Sequence, residues 1–174
     1  MAATSSSRAS PARPSLRPRA SRAIATLAIA IVLFFPGFAL HEAMHLAVLN
    51  LIGGHGVLIV RPWRFAAVDL TVPSLHVQPA PALDWGRQLA VNFLGPALAG
   101  SLFAIAALRV GDRRLRLAVT ANVAILGFYS VIEAIALFGD SLPAPAANLI
   151  GTPDFNYGVP LAICFAAALL AGPE

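Results

Sequence analysis

Residues 41–45 read His-Glu-Ala-Met-His, and this HExxH spacing can bind a zinc ion when it lies on a helix. His41 and His45 would then stand one turn apart on the same face, where both imidazoles can reach one metal ion. Glu42 would project about 100° further round the helix, close enough to contact a water molecule at the metal. The spacing therefore predicts a hydrolytic zinc site, with His41 and His45 as ligands and Glu42 as the general base.

The pattern lies at the far end of a long apolar run. Residues 23–40 carry no charged side chain, so two imidazoles and a carboxylate follow a segment that can enter a bilayer. An ionisable group there costs about 3 kcal/mol unless it is paired, bound to a metal or beside water. A chance pattern, in which the histidines only contact neighbouring helices, is the alternative interpretation. Three costly groups at metal spacing in one helix favour the zinc site.

The composition indicates an integral membrane protein. Hydrophobic residues make up 58% of the chain and charged residues 11%, whereas soluble domains have about half and about a quarter. The net charge of +4 comes from arginines that flank apolar segments and form no patch with interleaved aromatics, which argues against a nucleic-acid partner. Cys164 is the only cysteine, so the chain has no internal disulfide and no cysteine cluster for zinc.

The chain divides into a basic tail and one membrane-embedded domain. Residues 1–22 are rich in Ser, Pro and Arg and are expected to be disordered, although a secretory signal or transit peptide has a similar composition. Residues 23–174 form the domain. The expected spans are residues 23–51, 88–108, 117–138 and 155–172, the last being short enough for a tilted half-span. The fold class expected is an all-α membrane protein of about four transmembrane helices, with a short interfacial β-hairpin after the first.

Arginine placement predicts the orientation of these spans. The tail and the loop 111–116 are both arginine-rich and belong in the cytoplasm, with two crossings between them. We expect a bacterial plasma membrane with the N-terminus in the cytoplasm. Six polar residues fall at the span ends on the opposite leaflet, where they can meet at one depth: His41, Glu42, His45, Asn92, Asp140 and Asp154.

A catalytic zinc site needs a third protein ligand and an open position for water. Asp154 is favoured as that ligand, because it begins the fourth span and a helix start holds a carboxylate in a fixed direction. Asp140, directly after the third span, is the alternative. Glu133 is interpreted as a buried polar contact between helices, with a ligand or proton-relay role as a lesser option. His55 and His76 lack metal spacing and are placed at the membrane interface.

Four segments resemble the site-2 protease class of intramembrane zinc metalloproteases, the M50-type peptidases. They are residues 41–45 in the first span, 53–57 (Gly-Gly-His-Gly-Val) just after it, 92–97 (Asn-Phe-Leu-Gly-Pro-Ala) in the second, and 148–154. The resemblance implies that His41, His45 and Asp154 hold the zinc and that Glu42 activates a water. Asp154 stands in Pro-Asp-Phe, whereas the family usually has Leu-Asp-Gly at that point.

The loop between the first two spans contains two β-prone runs, residues 57–60 and 66–72, separated by Arg-Pro-Trp-Arg at 61–64. This pattern predicts a hairpin at the membrane surface, anchored by Trp63 and Trp85. A free hairpin edge could pair with an unwound substrate segment and deliver it to the metal. An inert interfacial loop is the alternative.

The predicted function is hydrolysis of peptide bonds in membrane proteins or membrane peptides by a zinc metalloendopeptidase. Asn92 is expected to donate a hydrogen bond to the substrate or to the oxyanion, or else to clamp two helices together. The rival hypothesis is a catalytically silent membrane scaffold or metal-binding partner protein with the same fold. Glu42 argues against the rival, because binding a metal needs the histidines but no base.

Overall fold

The computed structural model describes residues 16–65 and 69–172. The first helix, α1, spans Leu16–Leu51 and contains Pro36. Helix α2 spans Trp85–Arg109 and helix α3 spans Arg113–Ala136. A 3-10 turn at Gly139–Ser141 and the short helix α4, Ala144–Ile150, lead to the last helix, α5, at Pro153–Ala171.

Four of these helices are long and apolar enough to cross a membrane: α1, α2, α3 and α5. They match the four expected spans and make the chain a multi-pass membrane protein, so the predicted fold class is confirmed. One boundary differs. Residues 16–22 were expected in the disordered tail but form the beginning of α1, while the rest of that tail lies outside the described residues.

Small side chains let the helices approach closely. Helix α1 contacts α2, α3 and α5, and α3 also contacts α2 and α5. Ala30 on α1, Ala118 and Ala121 on α3 and Ala167 on α5 are all buried in one core cluster. Since lipid is as apolar as leucine, such helices gain from close packing and from hydrogen bonds between them. Asn122 supplies one such bond, because its buried Nδ2 donates to the Ala30 carbonyl at 3.1 Å.

A two-stranded antiparallel sheet follows α1, with β1 at Gly56–Phe65 and β2 at Leu70–Pro79. The hairpin was expected. The expectation that residues 61–64 separate its two strands was wrong, because these residues belong to β1. Pro62 lies opposite Pro73, and this pairing is tolerated because neither proline needs an N–H toward its partner there. The chain enters β2 through Asp69, whose φ of 47° is the left-handed conformation of a turn residue.

Side-chain caps fix where three helices begin. The Asp84 carboxylate accepts the Arg87 N–H at 2.9 Å at the start of α2. Asp112 accepts the Leu115 N–H at the start of α3, and this hydrogen bond lowers the pKa of the exposed Asp112 carboxyl. At α5 the cap is Thr152, so the aspartate at 154 is a first-turn residue and not the cap.

Candidate metal centre

Helix α1 brings His41 and His45 together at the centre of the bundle. Their side chains lie on one face, with ring centroids 4.5 Å apart and the two Nε2 atoms 2.6 Å apart. Both residues are buried, His41 to 1% exposure and His45 to 5%. The HExxH motif therefore has the helical geometry that its spacing predicts.

Glu133 of α3 completes this cluster. Its Oε1 lies 3.0 Å from His41 Nε2, and its Oε2 lies 2.9 Å from His45 Nε2. Among the described residues, these three form a group whose ligand atoms all lie within 4.8 Å of one another. The Glu133 side chain is 29% exposed, which leaves the cluster open on its side. Two imidazoles and one carboxylate with an open position are the donor set of a catalytic zinc site.

The hydrogen bond of His45 provides a test of whether a cation fits. His45 Nδ1 lies 2.8 Å from the Val91 carbonyl oxygen, which can only accept, so Nδ1 carries the proton. A neutral His45 then presents a lone pair at Nε2, facing another imidazole nitrogen and a carboxylate. Three electron-rich atoms at one point are satisfied by a shared cation, and a carbonyl behind the second ring nitrogen is the usual support of a metal-binding histidine.

Aromatic rings hold His41. The Tyr129 ring stacks on it with centroids 5.3 Å apart, and the Phe38 ring meets it edge-on at 5.5 Å. Tyr129 is itself fixed to α5, because its hydroxyl donates to the Asn156 carbonyl at 2.7 Å. The Nδ1 of His41 is buried and has no hydrogen-bond partner among the described residues. Packing therefore orients this ring, whereas a hydrogen bond orients His45.

Helix α2 supports the cluster through Gly95 and Asn92. A Cβ at Gly95 would lie 2.3 Å from His45 Nδ1, so only glycine allows α2 to approach this closely. Asn92 Nδ2 donates to the Glu133 backbone carbonyl at 3.1 Å, while its Oδ1 accepts from Gln88 Nε2 at 2.6 Å. Asn92 thus joins α2 to α3 beside the carboxylate, as the clamp interpretation expects. A donor role toward substrate stays a prediction.

Glu42 lies between the cluster and the hairpin. Its side chain is buried, and its carboxylate interacts electrostatically with His45 and Glu133 and with the backbone N–H of Val77 on β2. This places a carboxylate that is not part of the three-residue group beside the groups that could bind a metal. One carboxylate therefore stands outside the three-residue group, and metal-assisted hydrolysis uses such a carboxylate as its base.

The contact between Glu42 and Val77 identifies the strand edge at the site. Ala80 N–H donates to the His55 carbonyl at 2.8 Å, so residues of β2 at even positions bond to β1 in this register. Val77 and Leu75 alternate with them and turn their backbone groups away from β1. The sheet has two strands within the described residues, so this edge of β2 carries no further strand there.

Neither predicted aspartate joins the group. Asp154 is an exposed residue in the first turn of α5, and Asp140 is exposed in the 3-10 turn after α3. The structure brings Glu133 to the histidines in place of Asp154, because Glu133 lies on the face of α3 that meets α1, whereas Asp154 lies on an exposed face of α5. His76 lies on β2, where burial and then the charge of Arg61 lower its pKa, and His55 stands just before β1.

A signal for Glu133 was present in the sequence. It is the only charged residue within the span 117–138, and an ionisable group inside a span marks a functional site by default. It also lies about one turn from the end of α3 on the leaflet of the histidines. The preference for Asp154 rested on helix-start geometry and on the family resemblance, neither of which measures distance.

Comparisons with family models, curated proteins and solved structures find no match to this chain.

Proposed function

We propose that this protein is an intramembrane zinc metalloprotease, similar to the site-2 protease class, that hydrolyses peptide bonds of membrane proteins or membrane peptides. The observation that carries the proposal is the convergence of His41, His45 and Glu133 beside a separate carboxylate, Glu42. In this assignment Glu133 takes the ligand role that the sequence favoured for Asp154. The metal ion, the base and the outer edge of β2, which would bind the substrate, would then meet between α1, α3 and β2.

A bound zinc ion would supply a Lewis acid that acidifies a water molecule and polarises a peptide carbonyl. Glu42 accepts the proton of the attacking water as the new C–O bond forms. It then donates that proton to the amide nitrogen as the C–N bond breaks, so one peptide bond and one water become a carboxylate and an amine. Asn92 stabilises the oxyanion only if its amide leaves Glu133, so its main role in this proposal is to position Glu133.

Substrate would reach Glu42 as an extended segment. A peptide bond inside a helix has its backbone groups bonded within the helix, and the outer edge of β2 offers N–H and C=O groups to a chain that has unwound. Val77 is the nearest point of that edge to Glu42. With the N-terminus in the cytoplasm of a bacterial plasma membrane, the site would lie toward the outer leaflet.

The experiment combines zinc content with peptide cleavage. Wild-type protein, His41→Ala and Glu42→Gln are purified, loaded with zinc, washed and reconstituted into phospholipid vesicles with a panel of synthetic single-span peptides. We expect near one zinc per chain in wild type and Glu42→Gln, and near zero in His41→Ala. Cleavage detected by mass spectrometry should occur in wild type alone, because an amide preserves shape but cannot accept the proton.

The two readouts separate this proposal from a silent scaffold. Zinc binding in wild type without cleavage of any peptide in the panel supports a metal-binding scaffold. Equal cleavage by wild type and Glu42→Gln removes Glu42 as the base. Equal zinc in wild type and His41→Ala removes the metal site itself.

A further inference from the structure

An apolar cavity of about 680 Å³ lies between α1, α5 and the hairpin. Its walls include Phe34 and Phe38 of α1, Leu75 of β2, and Tyr157 and Leu161 of α5. The volume falls in the range of ligand pockets, about 300–1,000 Å³, and exceeds what one side chain fills. A charged or polar group would lose its hydration in these walls, so the cavity suits apolar occupants.

The cavity adjoins the candidate metal centre through a shared wall. Phe38 lines it and also meets the His41 ring edge-on at 5.5 Å. On the hairpin side, Leu75 lines the cavity two residues before Val77, whose N–H interacts electrostatically with the Glu42 carboxylate. Two residues of strand span about 7 Å. A chain bound along β2 with a peptide bond near Glu42 would therefore place side chains within two or three residues of that bond at the cavity.

The cavity also borders the face where α1 and α5 meet lipid. Phe35 is 67% exposed and Leu161 is 46% exposed, and both belong to its walls as well as to helices that can span a membrane. An apolar segment could pass from the lipid into the cavity without crossing a polar barrier. This position distinguishes it from an interior void.

We propose that this cavity is a specificity subsite that receives bulky apolar side chains of the substrate beside the bond to be cleaved. The inference rests on the proposed function and adds a substrate preference: an aromatic or large aliphatic residue within about three positions of the cleaved bond. The occupant is the unwound substrate segment, because the cavity lies along β2, two residues from the point at which that strand meets Glu42. A phospholipid acyl chain is the competing occupant.

Binding is tested without turnover. The Glu42→Gln protein is reconstituted with a single-span peptide of about 20 apolar residues in which one position at a time carries photoreactive benzoylphenylalanine. We expect crosslinks to Phe35, Leu75 or Leu161 from a narrow window of peptide positions, mapped by mass spectrometry. Crosslinks confined to α2, or spread evenly over lipid-facing helices, would overturn the subsite.

Cleavage is tested with a matched pair of variants on α5. Leu161→Trp fills the cavity, whereas Leu169→Trp adds the same side chain at a residue that is 74% exposed and not part of the walls. With peptides whose scanned residue is Phe or Ala, we expect Leu161→Trp to lower cleavage of the Phe peptide about tenfold or more relative to the Ala peptide. Leu169→Trp should retain the wild-type ratio, and equal ratios in all three proteins contradict the proposal.

The two experiments distinguish the possible failures. Crosslinks in the cavity without cleavage by wild type would leave the subsite standing and remove the protease function. Cleavage with no dependence on the scanned residue would leave the protease and remove the subsite.

Phospholipid that copurifies with wild type and is lost from Leu161→Trp, with peptide crosslinking unchanged, identifies a lipid site instead. If Leu161→Trp does not fold, Leu161→Ala replaces it and should increase cleavage of a peptide carrying Trp relative to one carrying Phe.

Discussion

Helix α1 faces two regions of different character. Toward α2 and α3 its neighbours are close and hydrogen-bonded, and we call this side the closed region although Glu133 keeps 29% exposure: His45 bonds to the Val91 carbonyl, and Asn122 bonds to the Ala30 carbonyl. Toward α5 and the hairpin it is open and apolar, with the cavity and aromatic contacts such as Phe34 with Tyr157 at 6.1 Å. One helix thus separates a region of directional bonds from a region of non-directional contacts.

The difference matches two separate requirements of the hydrolytic site that we propose. Ligands must be held within a few tenths of an ångström, and hydrogen bonds to neighbouring helices achieve this because they fix direction as well as distance. A site that accepts many sequences needs contacts that tolerate different shapes, and apolar walls provide these. The closed region should therefore be sensitive to the loss of single atoms, and the open region to changes in volume.

The largest expected effect is at Glu133. Glu133→Gln keeps the size of the side chain but removes the charge that two histidines share, so zinc affinity should fall by orders of magnitude. Asp154→Asn is the matched control, because it neutralises an exposed carboxylate outside the group. Competition with a zinc chelator measures both. A large loss in Asp154→Asn with normal affinity in Glu133→Gln would restore the aspartate as the ligand.

The second effect comes from Gly95. In Gly95→Ala the new Cβ would lie 2.3 Å from His45 Nδ1, so α2 or the imidazole must move. We expect a loss of about 1–3 kcal/mol in stability together with weaker zinc binding. Gly127→Ala on α3 is the control, since its Cβ would meet nothing within 4 Å and alanine favours a helix. Similar zinc affinity in both variants would show that the close approach of α2 is not needed for the metal.

Sequence patterns predicted the parts of this molecule that depend on local physics. Hydropathy over residues 85–109 or 113–136 is enough to mark a spanning helix, and HExxH spacing fixes which side of α1 carries the histidines. Residues 61–64 were expected to separate the two strands because they interrupt the β-prone runs, whereas the pairing of Pro62 with Pro73 makes this proline acceptable within β1.

The lone charge within residues 117–138 marks Glu133 as a candidate, but whether it meets the histidines depends on packing between helices. Several carboxylates are expected on one leaflet, but only the rotation of α3 against α1 turns Glu133 toward the histidines. Asp154 has the same approximate depth, yet the helix that follows Thr152 leaves it exposed. The depth of a residue in the membrane can be derived from span lengths and charges. The direction of its side chain around the helix axis follows only from how the helices pack.

A smaller effect is expected at Asn92. Asn92→Ala removes the bond to the Glu133 carbonyl, and loss of such supporting bonds weakens metal binding by about 10–100-fold. Ser101→Ala on the same helix is the control, because its hydroxyl donates to the Ala97 carbonyl one turn away within α2. Chelator competition and peptide cleavage are measured together. If Asn92→Ala keeps its zinc and loses turnover, Asn92 acts on the substrate and the closed region contributes to catalysis directly.

The smallest effect tests β2, which forms the border between the two regions. Leu75 lines the apolar cavity, while the adjacent His76 lies near the side chains of His41, His45 and Glu133. Burial and then Arg61 lower the pKa of His76, so protonation favours the unfolded state. The stability that neutral His76 contributes is fully present above pH 6.5, the pKa of histidine in the unfolded chain, and falls as the pH drops below that value.

His76→Gln cannot be protonated, so in chelator-treated protein the variant should lose less thermal stability than wild type between pH 7.5 and pH 5.5. The difference should be no more than about 2–4 °C, and the other histidines cancel because both proteins contain them. Equal losses would mean that His76 is hydrated in the folded as well as in the unfolded protein, so that the closed region ends at α1. A smaller loss in the variant would mean that the closed region extends into β2.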